Sequence, residues 1–76
     1  MDLNNKVLTI DEKEYLVISN IEHNGKQYVY LVNSDDEHDA KYREVVREGE
    51  DIFLEEIDAN LFRNEIFALF AKDFRE

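Results

Sequence analysis

Residues 14–33 read Glu14-Tyr15-Leu16-Val17-Ile18-Ser19-Asn20-Ile21-Glu22-His23-Asn24-Gly25-Lys26-Gln27-Tyr28-Val29-Tyr30-Leu31-Val32-Asn33. Two runs rich in β-branched and aromatic residues flank Asn24-Gly25. Asn-Gly supplies the positive φ that a type I′ turn needs at both central positions, which makes the stretch a β-hairpin. A two-residue turn also sets the register. His23 faces Lys26, Ile21 faces Tyr28, Ser19 faces Tyr30 and Val17 faces Val32; in the other parity Asn20 meets Val29 and Ile18 meets Leu31. That register predicts one face of Tyr15, Val17, Ile21, Tyr28, Tyr30 and Val32, and a second of Leu16, Ile18, Val29 and Leu31. Both are apolar near the middle, whereas a half-exposed hairpin alternates more cleanly. The hairpin is therefore expected to lie centrally in a curled sheet, or to meet a partner on one face.

Outward from the hairpin, residues 5–10 are β-rich and short and predict an edge strand, joined through the polar turn Asp11-Glu12-Lys13. Residues 34–39, Ser34-Asp35-Asp36-Glu37-His38-Asp39, read as an acidic loop. Residues 40–48 fit two readings. Ser34 with Glu37 has capping-box spacing and Gly49 could end a helix. Such a helix, across residues 36–48, would bury only Ala40, Tyr42, Val45 and Val46, a thin stripe. The preferred reading is a second hairpin with residues 52–57 across Gly49-Glu50-Asp51. Residues 58–75 predict a helix: Asp58 can cap it, and Phe62, Ile66, Leu69, Phe70 and Phe74 recur at helical spacing, with Leu61 and Phe67 widening the stripe. A stripe that wide must be covered, and the aliphatic face of Leu16, Ile18, Val29 and Leu31 is its expected cover. Strands first and helix last predict an α+β fold, with an antiparallel sheet of four or five strands and one C-terminal helix on a face, in one domain over residues 1–76.

Composition limits what such a domain can do. The 76 residues carry 9 Lys and Arg against 19 Asp and Glu, a net charge of -10, with no Cys, Trp or Pro. Without cysteine there is neither a disulfide nor a thiolate zinc site, so the apolar core must supply the stability. The charge is uneven: residues 34–57 hold ten acids and three bases. An anionic chain is repelled by phosphate backbones and anionic lipid, which argues against direct nucleic-acid or membrane binding. With no apolar leader at the N-terminus, a cytoplasmic location is expected.

The order of elements resembles a known family. The residues that carry the likeness are the Glu22–Val32 hairpin, the acidic stretch after it, the Val45-Val46 strand ending in Glu48-Gly49-Glu50-Asp51, and Leu54-Glu55-Glu56-Ile57-Asp58 leading into an aromatic helix. Together they resemble the YrzB-like small acidic bacterial proteins, a family whose domain has no assigned function. The resemblance implies a soluble bacterial protein of the cytoplasm and supplies no activity.

No catalytic constellation emerges. Ser19, Ser34 and Thr9 sit in no nucleophile elbow, and Gly25 and Gly49 stand alone rather than in a phosphate loop. A chain of this length has little volume to enclose a substrate pocket, so an enzyme is not expected. His23 flanks a turn and His38 sits among acids, and both read as surface histidines. Asp35, Asp36, Glu37, His38 and Asp39 could bind a divalent cation. Their spacing lacks the glycine and the closing glutamate of a calcium loop, and the plainer reading is a solvated acidic surface. No metal or cofactor is therefore assigned. Tyr15, Tyr28 and Tyr30 on the hairpin are the candidate contact residues, because tyrosine offers binding area at low entropic cost. The competing expectation is that residues 40–57 cover them, with Tyr42 and Phe53 closing over the face.

The expected function is a non-enzymatic protein-interaction module with an unidentified basic partner. Its candidate residues are Tyr15, Tyr28, Tyr30, Asp35, Asp36, Glu37 and Asp39, and its expected state is a monomer or a weak homodimer. The alternatives are a divalent-cation-responsive regulator using residues 34–39 and a self-associating structural protein. One stability consequence follows from charge alone. Self-repulsion opposes a compact state of net charge -10, so thermal melts should show Tm rising between low salt and about 0.15 M salt. An unchanged or lowered midpoint contradicts this.

Overall fold

The chain folds through a series of tight turns, each of which returns the strand before it. The computed structural model describes residues 5–74. Strands β1 (Val7–Ile10), β2 (Lys13–His23), β3 (Lys26–Asn33), β4 (Asp36–Glu48) and β5 (Asp51–Glu55) form one antiparallel sheet in that spatial order. A C-terminal helix follows in three parts: α1 (Ala59–Leu61), a π-helical turn (Phe62–Ile66) and α2 (Phe67–Phe74).

The turns follow local chemistry. Asn24 and Gly25 have φ of 54° and 78°, as a type I′ turn requires. Asp11 and Glu12 also take positive φ, 50° and 67°, between the paired residues Ile10 and Lys13. Aspartate tolerates that region; glutamate does so at a steric cost. Gly49 takes φ 60° at the start of the two-residue loop between Glu48 and Asp51. The preferred hairpin reading of residues 40–57 is thus the observed one. The strand begins earlier than expected, at Asp36, so most of the acidic stretch lies in β4 rather than in a loop.

The main departure from expectation is inside β2. From His23 to Ser19 the pairing is the expected one, with Ser19 opposite Tyr30. The next pair is Val17 with Leu31, so Ile18 has no partner. One extra residue reverses the parity of everything beyond it, because side chains alternate across a strand. Tyr15 and Val17 therefore join Val29 and Leu31 on one face, and the expected grouping of Tyr15 and Val17 with Tyr28 and Tyr30 is corrected. Ile18 itself is exposed.

The sheet consequently has two apolar faces, each with its own core. On the concave side Tyr15, Val17, Val29, Leu31 and Val45 are buried, and Leu8, Ile10, Ile52 and Leu54 from the two edge strands pack against them. The sheet curls far enough for both edges to reach one cluster, giving an almost barrel-like form. On the convex side Tyr28, Ile66 and Phe70 are buried among Ile21, Tyr30, Tyr42, Ile57, Leu61, Phe62 and Leu69. The helix therefore covers the tyrosine face, not the aliphatic one. Tyr42 is its centre, with ring centroids 4.7 Å from Tyr30, 4.7 Å from Phe62 and 5.0 Å from Phe70. Aromatic pairs at such separations add roughly 0.5–1.5 kcal/mol each beyond their buried area.

Polar ties fix the helix on this face. Asp58 accepts hydrogen bonds from the Asn60 and Leu61 N–H groups, which is the expected cap. The buried Ser19 hydroxyl donates to Asp73, and His23 Nε2 lies 3.0 Å from Glu65 Oε1. The 62–66 turn closes with the Phe67 N–H on the Phe62 carbonyl, an i+5 bond.

Glu12 gives a direct test of the turn argument. Glu12→Gly should stabilise the fold by about 0.5–1 kcal/mol, read as a higher urea midpoint, because glycine meets no Cβ clash at positive φ. A lower midpoint would show that the turn carries no such strain.

Candidate interaction surface

The two bulges of the sheet decide where the candidate residues lie. Tyr15, carried to the concave side by the Ile18 bulge, is 2% exposed. Tyr28, under Ile66 and Phe70, is 1% exposed, and Tyr30 is half-buried against Tyr42. The three tyrosines do not form one exposed patch. The expected cover from residues 40–57 is found in part: Tyr42 stacks on Tyr30, and Ile52 and Leu54 pack against the cluster that holds Tyr15, whereas Phe53 is 47% exposed and closes over none of them. The helix covers Tyr28 and packs beside Tyr30, on the convex side only.

A second bulge shapes the acidic stretch. Val32 pairs with Ala40 but Asn33 pairs with Asp36, which leaves Glu37, His38 and Asp39 unopposed on β4. Asp35, Asp36 and Glu37 project into solvent. Local bonds hold their backbone: the Asp35 N–H donates to Asn33 Oδ1 and the His38 N–H to Asp36 Oδ1. Asp39 differs from them. It turns inward, and its Oδ2 accepts from the Tyr15 hydroxyl at 2.6 Å and from Asn33 Nδ2 at 3.1 Å. Lys41 stands 3.5 Å from Asp39 Oδ1 and over the Tyr15 ring. Asp39 is a latch on the concave core, not a free surface acid.

That latch carries the clearest electrostatic signature in the molecule. The Tyr15 hydrogen bond, followed by the one from Asn33, holds the Asp39 carboxyl below the ordinary aspartate value. The same bond, with burial, pushes the Tyr15 phenol above its usual value. Burial, reinforced by Glu44 and Glu65, raises Tyr28 as well.

Other acids of the β4–β5 segment face solvent. Glu48, Glu50, Asp51, Glu55 and Glu56 are exposed along the β4–β5 turn and β5. The bases of the same segment are engaged within the fold: Lys41 at Asp39, Arg43 Nη1 on the Tyr42 carbonyl and Arg47 Nη2 on Gln27 Oε1. Across the β4–β5 ladder Glu44 stands opposite Glu55, and Glu48 opposite Asp51. Sequence reading located the acids but not these pairings, which become visible only once the register is known.

Concavities adjoin this region. One, of about 410 Å3, lies between β4 and the start of the helix, against Lys41, Tyr42, Arg43, Glu56, Ile57 and Phe62. Another, of about 290 Å3, separates the edge strands β1 and β5. Among the described residues no three His, Asp or Glu side chains converge as a metal site would need, and no helix is long and apolar enough to cross a membrane. Comparison with family models, curated proteins and solved structures finds no match to this chain.

The latch makes acid stability testable. Asp39 has a folded pKa below its unfolded one. Its contribution is therefore complete above the ordinary aspartate value of about 3.9 and is lost as pH falls through the lower folded value. Tyr15→Phe removes the bond. Urea midpoints of wild type and Tyr15→Phe should differ at about pH 7 and draw together as pH falls below the ordinary aspartate value. A constant gap across that range would show that the bond is not coupled to Asp39 ionisation.

Proposed function

We propose that this protein is a small, non-enzymatic interaction module whose acidic β4–β5 surface captures a basic protein partner. The observation that carries this reading is the juxtaposition of like charges across the ladder, Glu44 with Glu55 and Glu48 with Asp51. Like charges directly opposite each other destabilise a sheet by a few tenths of a kcal/mol to about 1 kcal/mol. A surface needed only for solubility has no use for that cost, because the same acids one position away would serve equally. A surface built to present a dense negative field does.

Electrostatic attraction of this kind raises encounter rates by roughly 10- to 1000-fold and falls with ionic strength. Asp35, Asp36 and Glu37 extend the field at the far end of β4. Tyr15, Tyr28, Tyr30 and Asp39 serve the fold, and the reading leaves them out of the contact surface. The resemblance to YrzB-like proteins supports a cytoplasmic bacterial setting. It is consistent with a module that acts by binding.

The test is capture of the partner by a tagged chain, washed at low and then high salt and read by mass spectrometry. A basic protein released by salt is the expected result, and Glu44→Gln with Glu55→Gln should weaken its retention several-fold. Retention that salt does not weaken, or recovery of the bait alone, would refute the electrostatic mechanism.

A further inference from the structure

The edge strands β1 and β5 are the part of the sheet that the fold leaves incomplete. β1 pairs only with β2 and β5 only with β4 among the described residues, so each keeps one open edge. The curl brings those edges to opposite sides of one cleft of about 290 Å3, lined by Leu8, Thr9, Ile10, Ile52, Phe53 and Leu54. Leu8, Ile10, Ile52 and Leu54 face the concave core from the two sides. On the outer side Val7 is 53% exposed and Phe53 47%.

Open edges normally carry protection against strand pairing, as lysine, proline or an inward charge. Here Val7–Ile10 and Asp51–Glu55 contain no lysine and the chain has no proline. The acidic side of the cleft is β5, with Glu48, Glu50, Asp51 and Glu55 in or beside it; at β1 the acids Asp11 and Glu12 are balanced by Lys6 and Lys13.

We propose that the β1–β5 cleft receives an extended, basic segment of a partner protein as a sixth strand. The segment would hydrogen-bond to either or both edges and close the curled sheet toward a barrel. Its side chains alternate across the strand. Apolar residues at every second position would meet Leu8, Ile10, Ile52 and Leu54, and Lys or Arg between them would meet the acidic rim. Charge selects this occupant over a second copy of the chain, whose net charge of -10 would bring acids against acids at the same rim. The inference rests on the acidic-module reading and adds the short-range contact that the buried tyrosines do not provide.

The experiment is an amide NMR titration of the intact protein with capped peptides of about eight residues, enough to span either edge. The first alternates lysine and valine, and the second alternates lysine and serine. The lysine–valine peptide should shift the amides of 7–10 and 51–55 together, slow their hydrogen exchange, and bind about tenfold more tightly than the lysine–serine peptide. Phe53→Lys, at an exposed position, should weaken that binding several-fold without unfolding the protein. Equal binding of the two peptides, or shifts centred away from both edges, would overturn strand addition and leave the acidic surface as a simple electrostatic attractor. Binding of neither peptide would overturn both readings. Concentration-dependent dimerisation that shifts the same edge amides without peptide would assign the cleft to a second copy and overturn the proposal.

Discussion

Ile18 has no partner across the ladder, and most of the architecture depends on that one extra residue. Without it, Tyr15 and Val17 would point to the same side as Tyr28 and Tyr30. The concave core would lose two of its buried members, and the helix would meet a wider tyrosine surface than it can cover. With it, a single hairpin feeds two cores: the upper half of β2 serves the inside of the curl, and the lower half, with Ser19 and Ile21, serves the helix. A bulge also adds local twist and bend, which suits a sheet whose edges must turn toward each other. The small size of the chain makes this economy necessary, since one face alone would bury too little.

Much of this was legible from local chemistry. Asn24-Gly25 announced its turn, Asp58 its cap, and the Phe62, Ile66 and Phe70 spacing its helix, because each of those signals acts within a few residues. The bulge was not legible. Ile18 is as good a strand residue as its neighbours, and only the curl of the whole sheet makes an unpaired position favourable there. The side the helix takes was not legible either: an aliphatic face suits phenylalanine rings as well as a tyrosine face does, and only the curl, which brings Leu8, Ile10, Ile52 and Leu54 onto Val29 and Leu31, leaves the tyrosine face to the helix. Asp39 could not be told apart from Asp35, Asp36 and Glu37 as a surface acid, because its distinction is a second bulge beside which it turns toward Tyr15. The face of a residue in a β-protein depends on every bulge between it and the nearest turn, and bulges leave weaker traces than turns do.

The charge distribution shows a division of labour between bases and acids. Lys41, Arg43 and Arg47 alternate along β4, and each is engaged by a group of the fold itself. The acids around them are left to the solvent or set against one another. The result is a net charge concentrated outside rather than merely large in total. Such a surface can remain a solubilising coat until a cation of suitable shape arrives. The open edges beside it give that charge a direction along which a partner could be organised.

The strictly sequential strand order has a consequence for how the molecule is made. Every strand pairs with its chain neighbour, so each closure spans a short loop and the sheet can zip from one hairpin to the next, with low contact order for a β-rich fold. The helix comes after all five strands, and it covers Tyr28, Tyr30 and Tyr42. During synthesis the sheet can therefore assemble while its convex aromatic face is still bare. That interval is when a newly made chain is most exposed to the wrong contacts, and the negative charge accumulated along β4 and β5 is already in place to discourage sister chains from meeting there.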